Sequence, residues 1–264
     1  YVLTVASNLL LTAVICLSRS LHQPMYVLLC SLFVNELYGS TALVPFLLLQ
    51  ILSDLHAVSA PFCFLQIFCV YTYVNVEFCT LAVMAYDRFV AICQPLQYHL
   101  RMSLSRTLLL VFVLWLYSFL NSAVQVYLTS TLPLCQHSLD KLLCDSLAIS
   151  KLSCQRNSLV GLYGLCCAAC VIALPCLLVL LSYCHIFSVM LKLSGESQRK
   201  ALQTCTPHLV VFINFSGAAF CGVTYNRLSA NIPKTVNILA CVSFFLVPPL
   251  FNPIIYGIKM KEIR

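Results

Sequence analysis

The chain has 264 residues, 61% hydrophobic and only 9% charged, with a net charge of +7. A soluble domain carries roughly 25% charged residues, and no water-facing surface could hide this much apolar side chain, so a bilayer must be the solvent for most of it. Nucleic-acid binding is excluded too, because the basic residues lie in connections between apolar runs and do not cluster on one soluble face.

Seven apolar runs follow one another, at 1–17, 25–52, 61–92, 106–132, 158–193, 199–222 and 232–257. A spanning helix needs about 20 apolar residues. Seven spans with short connections therefore use nearly the whole length and predict an all-α membrane protein, a seven-transmembrane helix bundle forming one domain over 1–264. No inverted repeat or low-complexity segment interrupts it. The chain opens at Tyr1 inside an apolar run and stops at Arg264 soon after the last one; both ends are expected to be truncated.

Orientation follows from the basic residues. One set of connections carries Arg19, Arg101, Arg106, Lys192, Arg199, Lys200, Lys259, Lys261 and Arg264, the other only Lys141, Lys151, Arg156, Arg227 and Lys234. The richer set is expected in the cytoplasm, which places the amino terminus outside and the carboxyl terminus inside.

The third run begins with Cys63 and ends at the adjacent pair Asp87-Arg88. A guanidinium at the edge of hydrocarbon can snorkel to water. Within this run Val70 and Val74, and Tyr71 and Asn75, recur at i, i+4 on one side of a helix. Glu36 and Glu77 lie well inside the second and third runs. Two ionised carboxylates at that depth are very unfavourable, so they must be protonated, share a proton, or hold a cation. Oxygen ligands suit a hard cation such as sodium; two neutral, hydrogen-bonded acids are the alternative.

The longest connection, 133–157, holds Cys135, Cys144 and Cys154 on the same outer side as Cys63. An oxidising space favours disulfides there, and four cysteines leave three pairings open. Cys166-Cys167-Ala168-Ala169-Cys170 contains a CxxC without further ligands nearby, so metal is rejected there. Pro175 and Pro253 each delete a backbone bond inside a span. Asn214-Phe215-Ser216 has the form of a glycosylation sequon but lies within an apolar run, out of reach of a transferase.

Met84-Ala85-Tyr86-Asp87-Arg88-Phe89-Val90-Ala91-Ile92-Cys93, continued by Pro95-Leu96-Gln97-Tyr98, closely resembles the end of the third helix in the odorant-receptor branch of the rhodopsin-like G-protein-coupled receptors. Further segments match in order and spacing: Pro24-Met25-Tyr26, Ser182-Tyr183-Cys184-His185-Ile186, Lys200-Ala201-Leu202-Gln203-Thr204-Cys205-Thr206-Pro207-His208-Leu209 and Asn252-Pro253-Ile254-Ile255-Tyr256, with Trp115 and Pro175 at rhodopsin-like positions. The resemblance covers nearly the whole chain. There are departures: Ser7 precedes Asn8 where a glycine is usual, Glu36 stands where aspartate is common, and Asn214-Phe215-Ser216-Gly217 replaces the frequent Phe-Tyr-Gly. The stretch around Glu36 is more similar to receptors of fish than of mammals.

The resemblance implies a receptor that binds a small-molecule odorant in the outer half of the bundle. It would activate a heterotrimeric G protein of the stimulatory type, raising cyclic AMP, from the plasma membrane. It places Asp87, Arg88, Tyr183, His208, Asn252, Pro253 and Tyr256 in the activation switch. It selects the pairings Cys63–Cys144 and Cys135–Cys154, and sets Glu36 and Glu77 beside Asn252 on inward faces, where a sodium ion would be the one bound cofactor. It assigns Val70, Tyr71, Val74, Asn75, Cys167, Val171, Ser216, Ala219, Val223 and Phe245 to a mostly apolar ligand cavity. A receptor of the same branch serving a metabolite or peptide outside olfaction is the alternative. A transporter or channel would need broken helices or a polar path, of which only Glu36 and Glu77 give any sign. An enzyme is not expected: no nucleophile motif or HExxH is present, and His185 and His208 stand singly within receptor motifs.

Overall fold

The computed structural model describes residues 1–52, 58–136, 143–154, 158–228 and 234–259. Its helices are α1 (Val2–Leu17), α2 (Pro24–Leu52), α3 (Ala60–Cys93), α4 (Tyr98–Arg101), α5 (Leu104–Ser130), α6 (Ser146–Leu152), α7 (Ser158–Ala168), α8 (Leu174–Met190), α9 (Gly195–Leu228) and α10 (Lys234–Lys259). A wide π turn, Ala169–Ala173, fuses α7 and α8 into one span. Among the described residues, five helices are long and apolar enough to cross a membrane, and two shorter apolar stretches, Val2–Leu17 and Ser243–Gly257, accompany them.

Local chemistry explains the helix limits. Ser103 accepts from the amide of Arg106 at 3.4 Å, so α5 starts two residues before the apolar run. Pro61 stands in the first turn of α3, where its missing N–H is harmless. α9 begins at Gly195, earlier than hydropathy predicts, because its first turn is polar and lies beyond the apolar face; Glu196 pairs with Lys200 there at 2.7 Å. The fifth run is expected as one span in which Pro175 deletes a backbone bond, and the structure places the π turn immediately before that proline. Pro175 has no N–H to offer the Val171 carbonyl, and the ladder widens at that point.

The side chains are sorted for lipid. Leu108, Leu109, Phe112, Leu120, Leu162, Leu177 and Leu181 face outward, while Asn8, Asn35, Glu36, Glu77, Asp87, His208 and Asn252 are fully buried. Apolar residues outside and polar residues within is the arrangement a bilayer selects. Helix α3 runs through the middle, against α2, α5 and α8, and α10 closes the ring between α9, α2 and α1. Trp115 of α5 donates to Ser31 of α2 at 3.0 Å, tying these helices together.

The described residues of the connection between α5 and α7 are cross-linked twice. Cys63 is bonded to Cys144, with Cα atoms 5.4 Å apart, and Cys135 to Cys154, with Cα atoms 5.2 Å apart. Leu134 and Ser153 pair as an antiparallel bridge beside the second bond. Asp145 caps α6 by accepting from the amide of Ala148 at 2.7 Å.

Candidate functional site

At the inner end of α3 the neighbouring charges meet. Arg88 Nε donates to Asp87 Oδ2 at 2.9 Å, and its Nη2 donates to the same oxygen. The other oxygen, Oδ1, accepts from the Tyr98 hydroxyl at 2.9 Å. Tyr98 lies outside the spans, and burial together with the Asp87 carboxylate pushes its phenol above the ordinary range. It therefore stays a donor, and Asp87 is held from two sides.

A second cluster joins three helices. The Leu81 carbonyl of α3 can only accept, so His208 Nε2, 2.9 Å away, carries the proton. The bare Nδ1 then accepts from the Tyr183 hydroxyl at 2.7 Å. One neutral ring on α9 thus bridges α3 and α8, and the two rings stack with centroids 5.6 Å apart. Tyr256 of α10 is buried nearby in the core, edge-on to Phe33, and its hydroxyl has no partner among the described residues.

Deeper in the bundle lies the acidic centre. Glu36 Oε1 accepts from Asn252 Nδ2, and Glu36 Oε2 from the Tyr73 hydroxyl at 3.0 Å. Glu77 Oε2 accepts from Asn35 Nδ2 at 2.9 Å, and Glu77 Oε1 from Asn252 Nδ2 at 3.3 Å. All four oxygens face N–H or O–H donors. Each oxygen accepts one of these bonds, and a carboxylate oxygen has two lone pairs, so acceptor capacity remains in the cluster. Neighbouring Pro253 frees the carbonyl of Pro249, four residues back, which accepts from Asn8 Nδ2 at 2.8 Å.

The outer half gathers part of the residues assigned to ligand binding. Val70 and Val74 of α3, Ala219 of α9 and Phe245 of α10 belong to one apolar cluster. Asn75 is 2% exposed, and its Nδ2 donor has no partner among the described residues. The Ser216 hydroxyl also lacks a nitrogen or oxygen partner, with the Cys176 thiol beside it. Val171 is buried. Tyr71 packs in a separate apolar cluster with Ile67, Cys144 and Ile149. Cys167 is drawn sideways to α5, where its thiol donates to Asn121 Oδ1 at 3.2 Å beside Tyr163, whose hydroxyl donates to the same oxygen at 2.6 Å. An amide oxygen in a lipid-facing groove collects whatever donors are near. The side chain of Val223 lies outside what the structure describes.

Sequence reasoning missed Tyr73, Asn35 and Gly39. Tyr73 had a signal, standing one helical turn before the intramembrane acid Glu77 and able to share its face. Gly39 is needed because a Cβ there would sit 2.5 Å from the Tyr73 ring.

Comparison with known proteins agrees with this arrangement. The family model described as olfactory receptor matches residues 1–264. Human olfactory receptor 8A1 is 35% identical over 265 residues, covering the whole chain and 81% of the relative. Human olfactory receptor 10J4 is 34% identical over 272 residues, with 85% of the relative covered, and olfactory receptor 1G1 of Gorilla gorilla gorilla is 36% identical over 274 residues, with 84% covered. A seven-run chain with lipid-sorted helices and an Asp-Arg latch that matches this family from end to end belongs to the olfactory receptors, multi-pass G-protein-coupled receptors of the plasma membrane that are not enzymes.

Proposed function

We propose that this receptor binds a small neutral odorant bearing a hydrogen-bond acceptor, and responds by activating a stimulatory heterotrimeric G protein that raises cyclic AMP. The amino terminus faces outside and the carboxyl terminus the cytoplasm, as the basic connections require. The observation that carries the coupling is the latch at the inner rim: Arg88 rests on Asp87, and Tyr98 holds the same carboxylate. In this reading the structure is the resting state. Outward motion of α9 breaks the Tyr183–His208 bond, frees Arg88 for a G-protein tail, and lets Tyr183 and Tyr256 turn inward to support the open form. Pro175 and Pro253 supply the bends that make such motion inexpensive. The ligand acts by binding the open arrangement more tightly than the closed one.

The ligand class rests on the polar atoms of the outer half. Asn75 offers an unpartnered amide donor and Ser216 a hydroxyl, amid Val70, Val74, Val171, Ala219 and Phe245. A buried donor left without a partner costs about 1–3 kcal/mol, which a carbonyl, ether or hydroxyl oxygen of a ligand recovers. The experiment is a cyclic-AMP reporter screen of cells displaying the receptor, with odorants grouped by functional group. Arg88→Ala should reach the surface and give no odorant response. Full signalling by that variant would defeat the assignment.

A further inference from the structure

We infer that Cys16 and Cys30 are a reversible oxidation site: a hydroperoxide joins their thiols into a disulfide that staples α1 to α2 at the inner end of the bundle. The chemistry of the pair does not depend on the odorant or the G protein. Cys16 Sγ, in the last turn of α1, lies 3.9 Å from Cys30 Sγ in α2. A disulfide needs about 2.05 Å between the sulfurs, so each has to move by roughly 1 Å. Rotation about the two Cα–Cβ bonds supplies a movement of that size.

The corner between the two helices keeps the thiols opposed. Ile15, Leu21, Met25 and Leu29 are buried there in one apolar cluster. His22 Nε2 lies 3.1 Å from the Cys16 carbonyl; a carbonyl only accepts, so the ring donates and pins the end of α1. Cys16 is exposed and Cys30 half-buried, whereas Cys69 and Cys205 are buried. An oxidant therefore meets one reachable thiol with a second beside it to resolve the product. Among the described residues no three His, Cys, Asp or Glu side chains gather to hold a metal ion, so the pair lacks the further ligands of a structural metal site. On the orientation proposed above, this end of the bundle faces a reducing cytoplasm, and the resting form is the dithiol.

The Cys16 thiolate attacks the terminal oxygen of the hydroperoxide. The O–O bond breaks, the alcohol leaves (water, from hydrogen peroxide), and Cys16 becomes a sulfenic acid. The Cys30 sulfur then attacks the Cys16 sulfur, the S–O bond breaks and water leaves. Two thiols and one hydroperoxide give one disulfide, one alcohol and one water. Two electrons pass from the sulfurs to the peroxide, and the two thiol protons depart in the alcohol and the water. The new bond closes a short loop and ties down the helix whose Asn8 serves α10, so the oxidised chain should be the more stable form.

The test is peptide mapping of the purified full chain in detergent, treated with hydrogen peroxide or a fatty-acid hydroperoxide and then capped with an alkylating agent. A cross-linked peptide pair carrying Cys16 and Cys30 should appear with either oxidant and vanish on reduction. The melting temperature should rise by a few degrees as the link forms. Cys30→Ser should instead leave Cys16 as a sulfenic acid that a 1,3-diketone traps. Recovery of both thiols fully alkylated from the treated chain, or Cys16 joined to a different cysteine, would overturn the inference. So would a link that forms only above the melting temperature, because it would belong to the unfolded chain. If the variant does not fold, the map of the unmodified chain still decides. None of these readouts involves an odorant or a G protein, so their failure is separate from failure of the coupling.

Discussion

Asn8 of α1 donates its side-chain amide to the carbonyl of Pro249 in α10, 2.8 Å away, and to the carbonyl of Thr4 in its own helix at 2.9 Å. The first contact repairs the break that Pro253 makes in the α10 ladder. A kinked span in lipid must find a donor for the freed carbonyl elsewhere, and here the first helix provides it. Asn8→Leu removes that donor from a fully buried site. The loss should be about 1–3 kcal/mol, read as a lower melting temperature of the purified receptor, and α10 should be the first segment to show faster amide exchange.

Gly39→Ala places a methyl group against the Tyr73 ring, which cannot retreat from the three phenylalanines around it. Overpacking of this kind typically destabilises by about 1–3 kcal/mol. Surface expression should fall clearly. The double variant Gly39→Ala with Tyr73→Leu should lose less than the two single changes added together, because the clash is between those two side chains. Strict additivity in a melting series would contradict the contact.

Tyr98→Phe deletes one of the two partners of Asp87 and leaves Arg88 in place. With the carboxylate held from one side only, the latch weakens by the worth of one hydrogen bond to a charged group, about 1.5–3 kcal/mol at most. Agonist-independent cyclic AMP should rise several-fold at equal surface expression. No rise would mean that Tyr98 braces the inner loop without restraining the switch.

His208→Ala cuts the bridge between α3, α8 and α9 at both ends. The bond to Tyr183 must break when α9 moves outward, so its removal favours the open state, and about 1.4 kcal/mol is a tenfold change in that equilibrium. Basal signalling should increase and the melting temperature fall. A variant that is less stable but equally quiet would place His208 in packing alone.

Asn75→Leu keeps the volume of the outer half and removes its free donor. Odorants with a carbonyl or ether oxygen should lose about tenfold in potency, the equivalent of one hydrogen bond, whereas hydrocarbons should not weaken. Dose–response curves for matched ketone and alkane pairs measure this directly. Equal losses for both members of a pair would remove Asn75 from ligand recognition.

The seven runs, their lipid-facing surfaces and the Asp87-Arg88 pair were legible in the sequence, because hydropathy and intramembrane charge follow from the solvent alone. The presence of Glu36 and Glu77 was legible too, but the state of the pair was not. Which donors reach each oxygen depends on the register of α2, α3 and α10, and no local pattern sets that register. The spacing of Tyr73 from Glu77 marks its face, but its close approach to Gly39 and its bond to Glu36 depend on how α2 and α3 pack. Cys167 misled for a related reason. The extra residue in the wide turn and the pull of Asn121 fix its direction, and helical periodicity assumes neither. The packing of Tyr71 depends on the cross-link between Cys63 and Cys144, which are far apart in sequence.

The wide turn at Ala169–Ala173 accommodates one residue more than a regular helix would. Excision of a single residue there would let the ladder close and rotate α7 by about 100° relative to α8. Val179, Tyr183, Ile186 and Met190, which follow the turn, would keep their inward stripe. One codon deletion would therefore re-aim the side chains of α7 and leave the buried stripe of α8 untouched, so the two halves of the same rod can diverge independently.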